Sequence, residues 1–204
     1  MGFTEAKKYI ADLRKRQNNP YLWPDYLTGL PDKTAILRKL EEIYPKIGNY
    51  SVAYVRISNI QSYLIKYGPN RHADIIQWAA AILKTSADSR KNGFVGTLST
   101  HDFMVICACR DMQLLMDQAA ALFRKRIADY YSSEDLKKQE TLSFKKGDGK
   151  AFSIGLMKLV CVVADKKLPV KKSDLIINMA RVCDAIESTD DDMVIMTRDL
   201  LCTD

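Results

Sequence analysis

Apolar positions recur at the spacing of a helix in some segments of the chain and at the spacing of a strand in others. Residues 50–58, YSVAYVRIS, alternate and are rich in β-branched types, which predicts a strand. After Asp32, which can cap a helix, apolar residues keep helical spacing at Ile36, Leu37, Leu40, Ile43 and Ile47. The same criteria predict further helices at 4–16, 59–67, 73–87, 112–131 (capped by Asp111) and 174–187 (capped by Ser173), and strands at 94–99, 102–109, 151–163 and 192–197.

This order of elements predicts the α/β (α+β) class, with a central mixed sheet of five to six strands flanked by helices. The polar residues 132–150 predict a loop or the tip of a hairpin. The length of 204 residues favours one domain with appendages. No apolar run approaches the ~20 residues that span a bilayer, and the N-terminus has no apolar signal-peptide core. We therefore expect a cytoplasmic protein, or the cytoplasmic part of a larger one, without a membrane span in this chain.

The formal net charge of +6 leaves several classes of ligand open. Nucleic acid, phosphate ligands and an anionic membrane surface would each suit it, and so would solvated helix faces, because the basic residues are spread and mixed with acids. No basic ribbon is interleaved with aromatic residues, so we expect no DNA binding. The five cysteines show no CxxC spacing. We interpret them as reduced core thiols, with Cys107 and Cys109 on one face of a strand, and not as a metal site.

One short string, Asp25-Tyr26-Leu27-Thr28-Gly29-Leu30-Pro31, resembles the D-x-L-T-G-L-P signature that opens GGDEF domains, the diguanylate cyclase family. The predicted elements that follow it agree with that family, and residues 152–155, FSIG, resemble its S-I-G strand. The resemblance covers roughly residues 22–198. It implies a nucleotide-cyclase-like domain over 22–204, with residues 1–21 as an N-terminal linker or signalling helix. The alternative for helix 4–16 is a simple packing helix.

The resemblance also assigns the turn that carries the family's name motif. Setting Phe103 on the final Phe of GGDEF places Ser99, Thr100, His101 and Asp102 on the Gly, Gly, acidic and Glu positions. In the family the glycines let the backbone approach nucleotide phosphates, and the third position is an acidic metal ligand. His101 is a poor ligand for Mg²⁺, which prefers oxygen donors.

Other family positions are also replaced. The D-x-D-x-F-K segment that ends the first strand reads RISNIQ at 56–61, so Arg56 replaces a metal-binding carboxylate, Ser58 the second Asp and Gln61 a phosphate-contacting lysine. Leu64 and Ala73 stand on the two positions that recognise guanine. The inhibitory R-x-x-D site keeps its Arg as Arg90 and lacks its Asp. Ser188 falls near a phosphate-binding lysine of the last helix.

These replacements imply a degenerate GGDEF domain that lacks diguanylate cyclase activity and needs no metal or other cofactor. We expect a regulatory or interaction module for a protein partner or an upstream sensor domain. The alternative is a metal-independent nucleotide or cyclic-dinucleotide receptor that uses Arg56 and Arg90, unless Arg56 pairs with Asp102. A third hypothesis, an enzyme of altered chemistry, would use His101 as a general base. His72 is interpreted as a loop histidine.

Overall fold

The computed structural model describes residues 3–16, 25–145, 151–187, 189 and 191–201. The helices of this part are α1 (Phe3–Arg16), α2 (Lys33–Ile43), α3 (Ile60–Tyr67), α4 (His72–Asp88), α5 (Cys109–Ile127), α6 (Ser133–Lys138) and α7 (Lys172–Ile186). The strands are β1 (Tyr50–Ser58), β2 (Phe94–Thr97), β3 (Asp102–Ala108), β4 (Glu140–Lys145), β5 (Ala151–Gly155), β6 (Lys158–Ala164) and β7 (Met193–Ile195).

A five-stranded sheet in the order β2-β3-β1-β6-β7 forms the centre of the fold. The β2–β3, β3–β1 and β1–β6 pairs are antiparallel, and the β6–β7 pair is parallel. The predicted class, a mixed sheet flanked by helices, is therefore confirmed. The middle strands β1, β3 and β6 are buried on both faces, which explains why their sequences are almost continuously apolar.

Helices cover both faces of this sheet. Inward residues such as Val55, Phe103 and Val163 pack with α1, α4 and α5 on one face. Alternate residues such as Tyr54 and Met104 pack with α2 and α7 on the other. Because successive strand residues point to opposite faces, neighbouring positions of β1 serve two separate cores.

The segment from 132 to 163 differs from its prediction. Residues 132–150, predicted as a loop, contain α6 and β4, while 146–150 lie outside the described residues. The segment 151–163, predicted as one strand, forms two strands, because β5 ends at Gly155 and β6 begins at Lys158. β5 pairs only with β4, in a separate two-stranded sheet, and β6 joins the main sheet. Tyr131 fixes the break, since its buried hydroxyl accepts a hydrogen bond from the Met157 N–H at 2.9 Å.

Several helix ends also differ. Asp32 caps α2 as predicted, accepting from the Ala35 N–H at 2.9 Å, but α2 ends before Ile47. The capping predictions for Asp111 and Ser173 are wrong, because α5 begins at Cys109 and α7 at Lys172. Cys109 therefore lies on a helix and shares no strand face with buried Cys107. Within the described part, the cysteines are free thiols, namely Cys107, Cys109, Cys161 and Cys183.

Helix α1 packs against α4. Ala6 and Ile10 are buried, and the rings of Phe3 and Trp78 meet edge to face with centroids 6.0 Å apart. The Tyr9 hydroxyl donates to the Thr28 carbonyl at 3.4 Å. In the ranges that the structure describes, no helix is both long enough and apolar enough to cross a membrane.

Candidate functional site

The signature segment at 25–31 forms a tight turn that ties the loop before α2 to the sheet. Asp25 accepts hydrogen bonds from the Thr28 N–H at 2.7 Å and the Thr28 hydroxyl at 2.5 Å. Gly29 adopts a positive φ of 68°, which favours glycine at this position.

Two contacts join this turn to strand β2. The buried hydroxyls of Thr28 and Thr97 lie 2.8 Å apart, and the Thr97 N–H donates to the Pro31 carbonyl at 2.8 Å. Leu30 is fully buried, and Leu27 packs against the core. The role of this string in the structure is therefore to hold a turn in place.

A cleft of about 1130 Å³ opens at the end of the sheet where β1 runs into α3. One wall is charged, and the other is largely apolar and comes from α5, α6 and the β4–β5 hairpin. Of the predicted site residues, the cleft is lined by Arg56, Gln61, His101 and Asp102. Its apolar lining includes Ile60, Ile127, Leu136, Phe152, Ile154 and Leu156.

Arg56 is the centre of the charged wall. The register of the antiparallel β1–β3 pair places Arg56 directly opposite Asp102. The Arg56 Nε lies 2.7 Å from the Asp102 carboxylate. Its other nitrogens reach Asp184 of α7 and Glu187, the residue that follows α7, the latter at 3.8 Å, and donate to the Tyr54 hydroxyl at 3.1 Å. Every side of the guanidinium therefore has a partner.

This network fixes the charges of its members. Burial alone would lower the pKa of Arg56, but the hydrogen bonds that it donates to Asp102 and Asp184 raise it above its ordinary value. Burial, together with the charge of Asp102, raises the pKa of Tyr54. Arg56 is consequently a permanent cation at the position where the resemblance implies a metal-binding carboxylate.

The residues present do not fit the divalent cations of the family. A cation beside β1 would be repelled by the guanidinium of Arg56, which already pairs with the nearby carboxylates of Asp102, Asp184 and Glu187. Among the described residues, no group of three or more His, Cys, Asp or Glu side chains is arranged to hold a metal ion.

His101 points away from Asp102. Its Nε2 lies 2.7 Å from Nε2 of His72, the first residue of α4, and its carbonyl accepts from the Ile57 N–H at 3.0 Å. Asp102 turns to the opposite side and accepts from the Ser99 hydroxyl at 2.5 Å. Burial, and then the neighbouring His72, lower the pKa of His101. The interpretation of His72 as a loop histidine is wrong, since it begins a helix and pairs with the turn.

The other predicted positions do not join the cleft. Phe103 and Ser58 are fully buried, and the Ser58 hydroxyl has no hydrogen-bond partner within the described residues. Ser99 and Thr100 are exposed in the turn, while Leu64 on α3 and Ala73 on α4 lie outside the lining. The structure thus brings together four of the ten vestigial positions.

Arg90 lies at the other end of the sheet. It follows α4 and precedes β2, and it donates to the Gln118 side chain of α5 at 3.0 Å. Gly93, which stands where the family has an Asp, has no room for a side chain, because a Cβ there would lie 2.1 Å from the Ala87 carbonyl oxygen. Arg90 therefore binds a neutral side chain, and the position of Gly93 cannot provide a carboxylate partner for it.

The sequence-based reasoning missed the residues that complete the charged wall. Asp184 lies on α7 and Glu187 directly follows it, and Asp192 binds Lys158 at 3.0 Å and Arg124 at 3.1 Å. Asp184 and Glu187 are three positions apart, which places them on one face of a helix, and this spacing is the one signal that pointed to them.

Comparison with solved structures identifies the architecture. The GGDEF domain of FimX from Pseudomonas aeruginosa superposes with a TM-score of 0.56 at 13% identity, covering 84% of this chain and 98% of that one. The fold is that of a GGDEF domain.

Two further GGDEF structures agree. The diguanylate cyclase SiaD of Pseudomonas aeruginosa, solved with its activator SiaC, matches with a TM-score of 0.59 at 16% identity over 93% of this chain and 67% of that one. The GGDEF domain of DgcB from Caulobacter crescentus, solved with c-di-GMP, matches with a TM-score of 0.55 at 11% identity over 84% and 94%. No family model matches the sequence, and no curated protein matches it significantly.

Proposed function

We propose that this GGDEF-fold domain lacks diguanylate cyclase activity and acts in the cytoplasm as a regulatory module that binds a protein partner or an upstream sensor domain. The observation that carries the proposal is the pairing of Arg56 with Asp102, Asp184 and Glu187. Joining two nucleotides by attack of a hydroxyl on a phosphate depends, in this family, on carboxylates that hold two metal ions. Here the carboxylates of the cleft are already paired with the protein's own cations.

The charge of the cleft supports the same conclusion. Its lining carries three permanent cations, Arg56, Arg124 and Lys158, against four carboxylates, Asp102, Asp184, Glu187 and Asp192. The formal charge of −1 repels a nucleoside triphosphate, which carries several negative charges of its own. Removing guanine recognition through Leu64 and Ala73 lowers the affinity further, because the polar edge of the base would stay unpaired.

A partner-binding role suits the apolar surface beside the cleft. Phe144 and Phe152 face each other across the β4–β5 hairpin, and each is about half exposed, at 50% and 49%. Large exposed aromatic side chains in neighbouring positions are typical of protein interfaces. SiaD, which shares the fold, was solved with an activator protein, and we propose that this chain likewise binds a protein partner.

The test is incubation of the purified protein with GTP and Mg²⁺ or Mn²⁺, with products separated by liquid chromatography. We expect no cyclic di-GMP, while a cyclase with an intact GGDEF motif, run in parallel, converts its substrate. Arg56→Asp should not restore the reaction, because His101 and Gln61 remain. Formation of cyclic di-GMP by the wild type at an ordinary enzymatic rate would refute the proposal.

The receptor alternative is disfavoured by the same contacts, since Arg56 has no nitrogen left for a phosphate and Arg90 lies at the opposite end of the sheet. A second arm of the experiment measures thermal stability with GTP, ATP, cyclic di-GMP and cyclic di-AMP. A ligand at 100 times its Kd would add about 2.7 kcal/mol, which is easily seen as a rise in Tm. We expect no such rise, and one that disappears in Arg56→Ala would favour the receptor. The altered-enzyme hypothesis has no support in the geometry, because His101 faces His72 and not Asp102.

A further inference from the structure

Four segments that include turns and helix ends meet at the end of the sheet opposite the cleft, and we call them the basic end: residues 44–49, 88–93, 109–111 and 165–174. Hydrogen bonds bring them together. The Cys109 N–H donates to the Asn49 carbonyl at 3.0 Å, and the Cys109 thiol lies 3.5 Å from the Asp165 carbonyl. The Asn92 amide donates to the Tyr50 hydroxyl at 3.1 Å, and the Tyr44 hydroxyl donates to the Val170 carbonyl.

The basic end concentrates the positive charge of the chain. Its 25 residues contain eight Lys and Arg side chains against four Asp, a formal charge of +4 out of the +6 of the whole chain. Five of the cations are exposed and make no side-chain ion pair or hydrogen bond within the described residues, namely Lys46, Lys91, Lys166, Lys167 and Lys171. By contrast, the cations of the cleft are all paired.

The composition of the basic end distinguishes between anionic surfaces. Six of its eight cations are lysines, which act as hydrated point charges and not as the bidentate forks that arginine offers to phosphates and bases. Its tyrosine, Tyr44, and the adjacent Tyr50 of β1 are half-buried, and the hydroxyls of both are already used in hydrogen bonds. The end therefore lacks the stacking surface typical of nucleic-acid binding and suits a diffuse layer of negative charge.

From these observations we infer that the basic end binds the surface of an anionic phospholipid membrane, with the cleft at the far end of the sheet directed away from it. Clusters of four to eight Lys and Arg bind acidic headgroups through summed attraction, without insertion, and salt weakens that attraction within a Debye length. This inference concerns where the domain is held, and it stands whether or not the cleft binds a partner.

The experiment measures co-sedimentation of the whole chain with vesicles of phosphatidylserine and phosphatidylcholine at 50 mM and 300 mM NaCl, with pure phosphatidylcholine as the uncharged vesicle. We expect binding to the anionic vesicles alone, and its loss at the higher salt. The variant K166E/K167E/K171E should lower the partition coefficient at least about tenfold. These side chains are exposed and unpaired, so the variant should keep its fold, which circular dichroism checks.

A matched control separates the basic end from net charge. K7E/K33E/K137E removes three other exposed, unpaired lysines, so both variants have a formal charge of zero. We expect the control to keep most of the vesicle binding. Equal loss in the two variants, or no binding by the wild type, would overturn the assignment. Tighter binding to a 20-base-pair DNA duplex than to the vesicles would also overturn it and identify a nucleic-acid surface instead.

Discussion

Arg56 joins three elements through one guanidinium, and its partners differ in how far they are buried. The Asp102 side chain is 15% exposed, whereas that of Asp184 is 64% exposed. An ion pair gains little where water competes for both charges, but a carboxylate held away from water depends on its partner. The contribution of each pair to stability should follow this difference.

We therefore predict that Asp102→Asn lowers the free energy of unfolding by about 2 kcal/mol, because charge-assisted hydrogen bonds from Arg56 and Ser99 are lost in a half-buried site. Asp184→Asn, which removes one charge from the same guanidinium, should cost about 0.5 kcal/mol or less. Urea denaturation measures both values. Similar losses in the two variants would contradict the importance of the cross-strand pair.

The His72–His101 pair predicts a pH dependence. A hydrogen bond between the two Nε2 atoms, 2.7 Å apart, needs one of them to lack a proton, so protonation of both rings is unfavourable there. Burial, followed by His72, lowers the pKa of His101 below its ordinary value of 6.5, so the unfolded chain takes up more protons than the folded one below that pH. The stabilisation is complete above pH 6.5 and is lost as the pH falls through the lower, folded value.

The measurement is the free energy of unfolding in urea at pH 7.5 and at pH 5.5. We expect the wild type to be less stable at the lower pH. In His101→Gln, where the amide can still bond to His72 but does not titrate in this range, the loss should be smaller. An identical pH dependence in the variant would assign the effect to other groups.

The sequence predicted some of this site and not the rest. Arg56 and Asp102 carry opposite charges near the ends of two strands predicted to be neighbours. The register of the β1–β3 pair then places the two residues opposite each other. Asp184 and Glu187 lie more than a hundred residues further along the chain at the end of a helix with no motif. Only the packing of α7 across β1 brings them to Arg56, and spacing within one helix carries no information about what that helix will face.

At the scale of elements, prediction succeeded where burial dictates the pattern. β1 and β3 are covered by helices on both faces, and their largely apolar sequences were correctly predicted as strands. The β4–β5 hairpin is covered on neither side to that degree, and Phe144 and Phe152 stay half exposed. The polar segment 132–150, which contains β4, therefore resembles a loop.

The break between β5 and β6 shows a second limit. Residues 151–163 are mostly apolar, with Ser153 and Lys158 as the polar exceptions, and local spacing favours one strand. The Tyr131 hydroxyl, twenty-six positions before Met157, accepts the backbone N–H that a continuous strand would offer to its neighbour. Burial raises the pKa of Tyr131 to about 12, so the hydroxyl stays protonated at neutral pH. A single long-range hydrogen bond of this kind is invisible to a reading of neighbouring residues.

At the scale of the whole molecule, the position of α1 decides where the domain begins. The sequence allowed two interpretations of residues 1–21. They could form a linker that transmits a signal, or a helix that packs on the fold. In the structure, Ala6 and Ile10 are 3% and 5% exposed against α4, and Lys125 lies 5.4 Å from the Phe3 ring. These contacts make α1 part of the core that α4 and α5 share.

We predict that Ile10→Asp lowers the free energy of unfolding by about 2 kcal/mol, because the helix must either bury a carboxylate or leave the α4 surface. Ala11→Asp adds the same charge one position further along, where the side chain is exposed, and should change stability by less than about 0.5 kcal/mol. Urea denaturation of both variants, with hydrogen exchange of α4 amides, distinguishes the two readings. If both variants are as stable as the wild type and α4 exchanges equally in all three, α1 is a linker in solution and the domain begins at the signature turn. If Ile10→Asp alone is destabilised and α4 loses protection, any signal that arrives through α1 reaches the core of the domain directly.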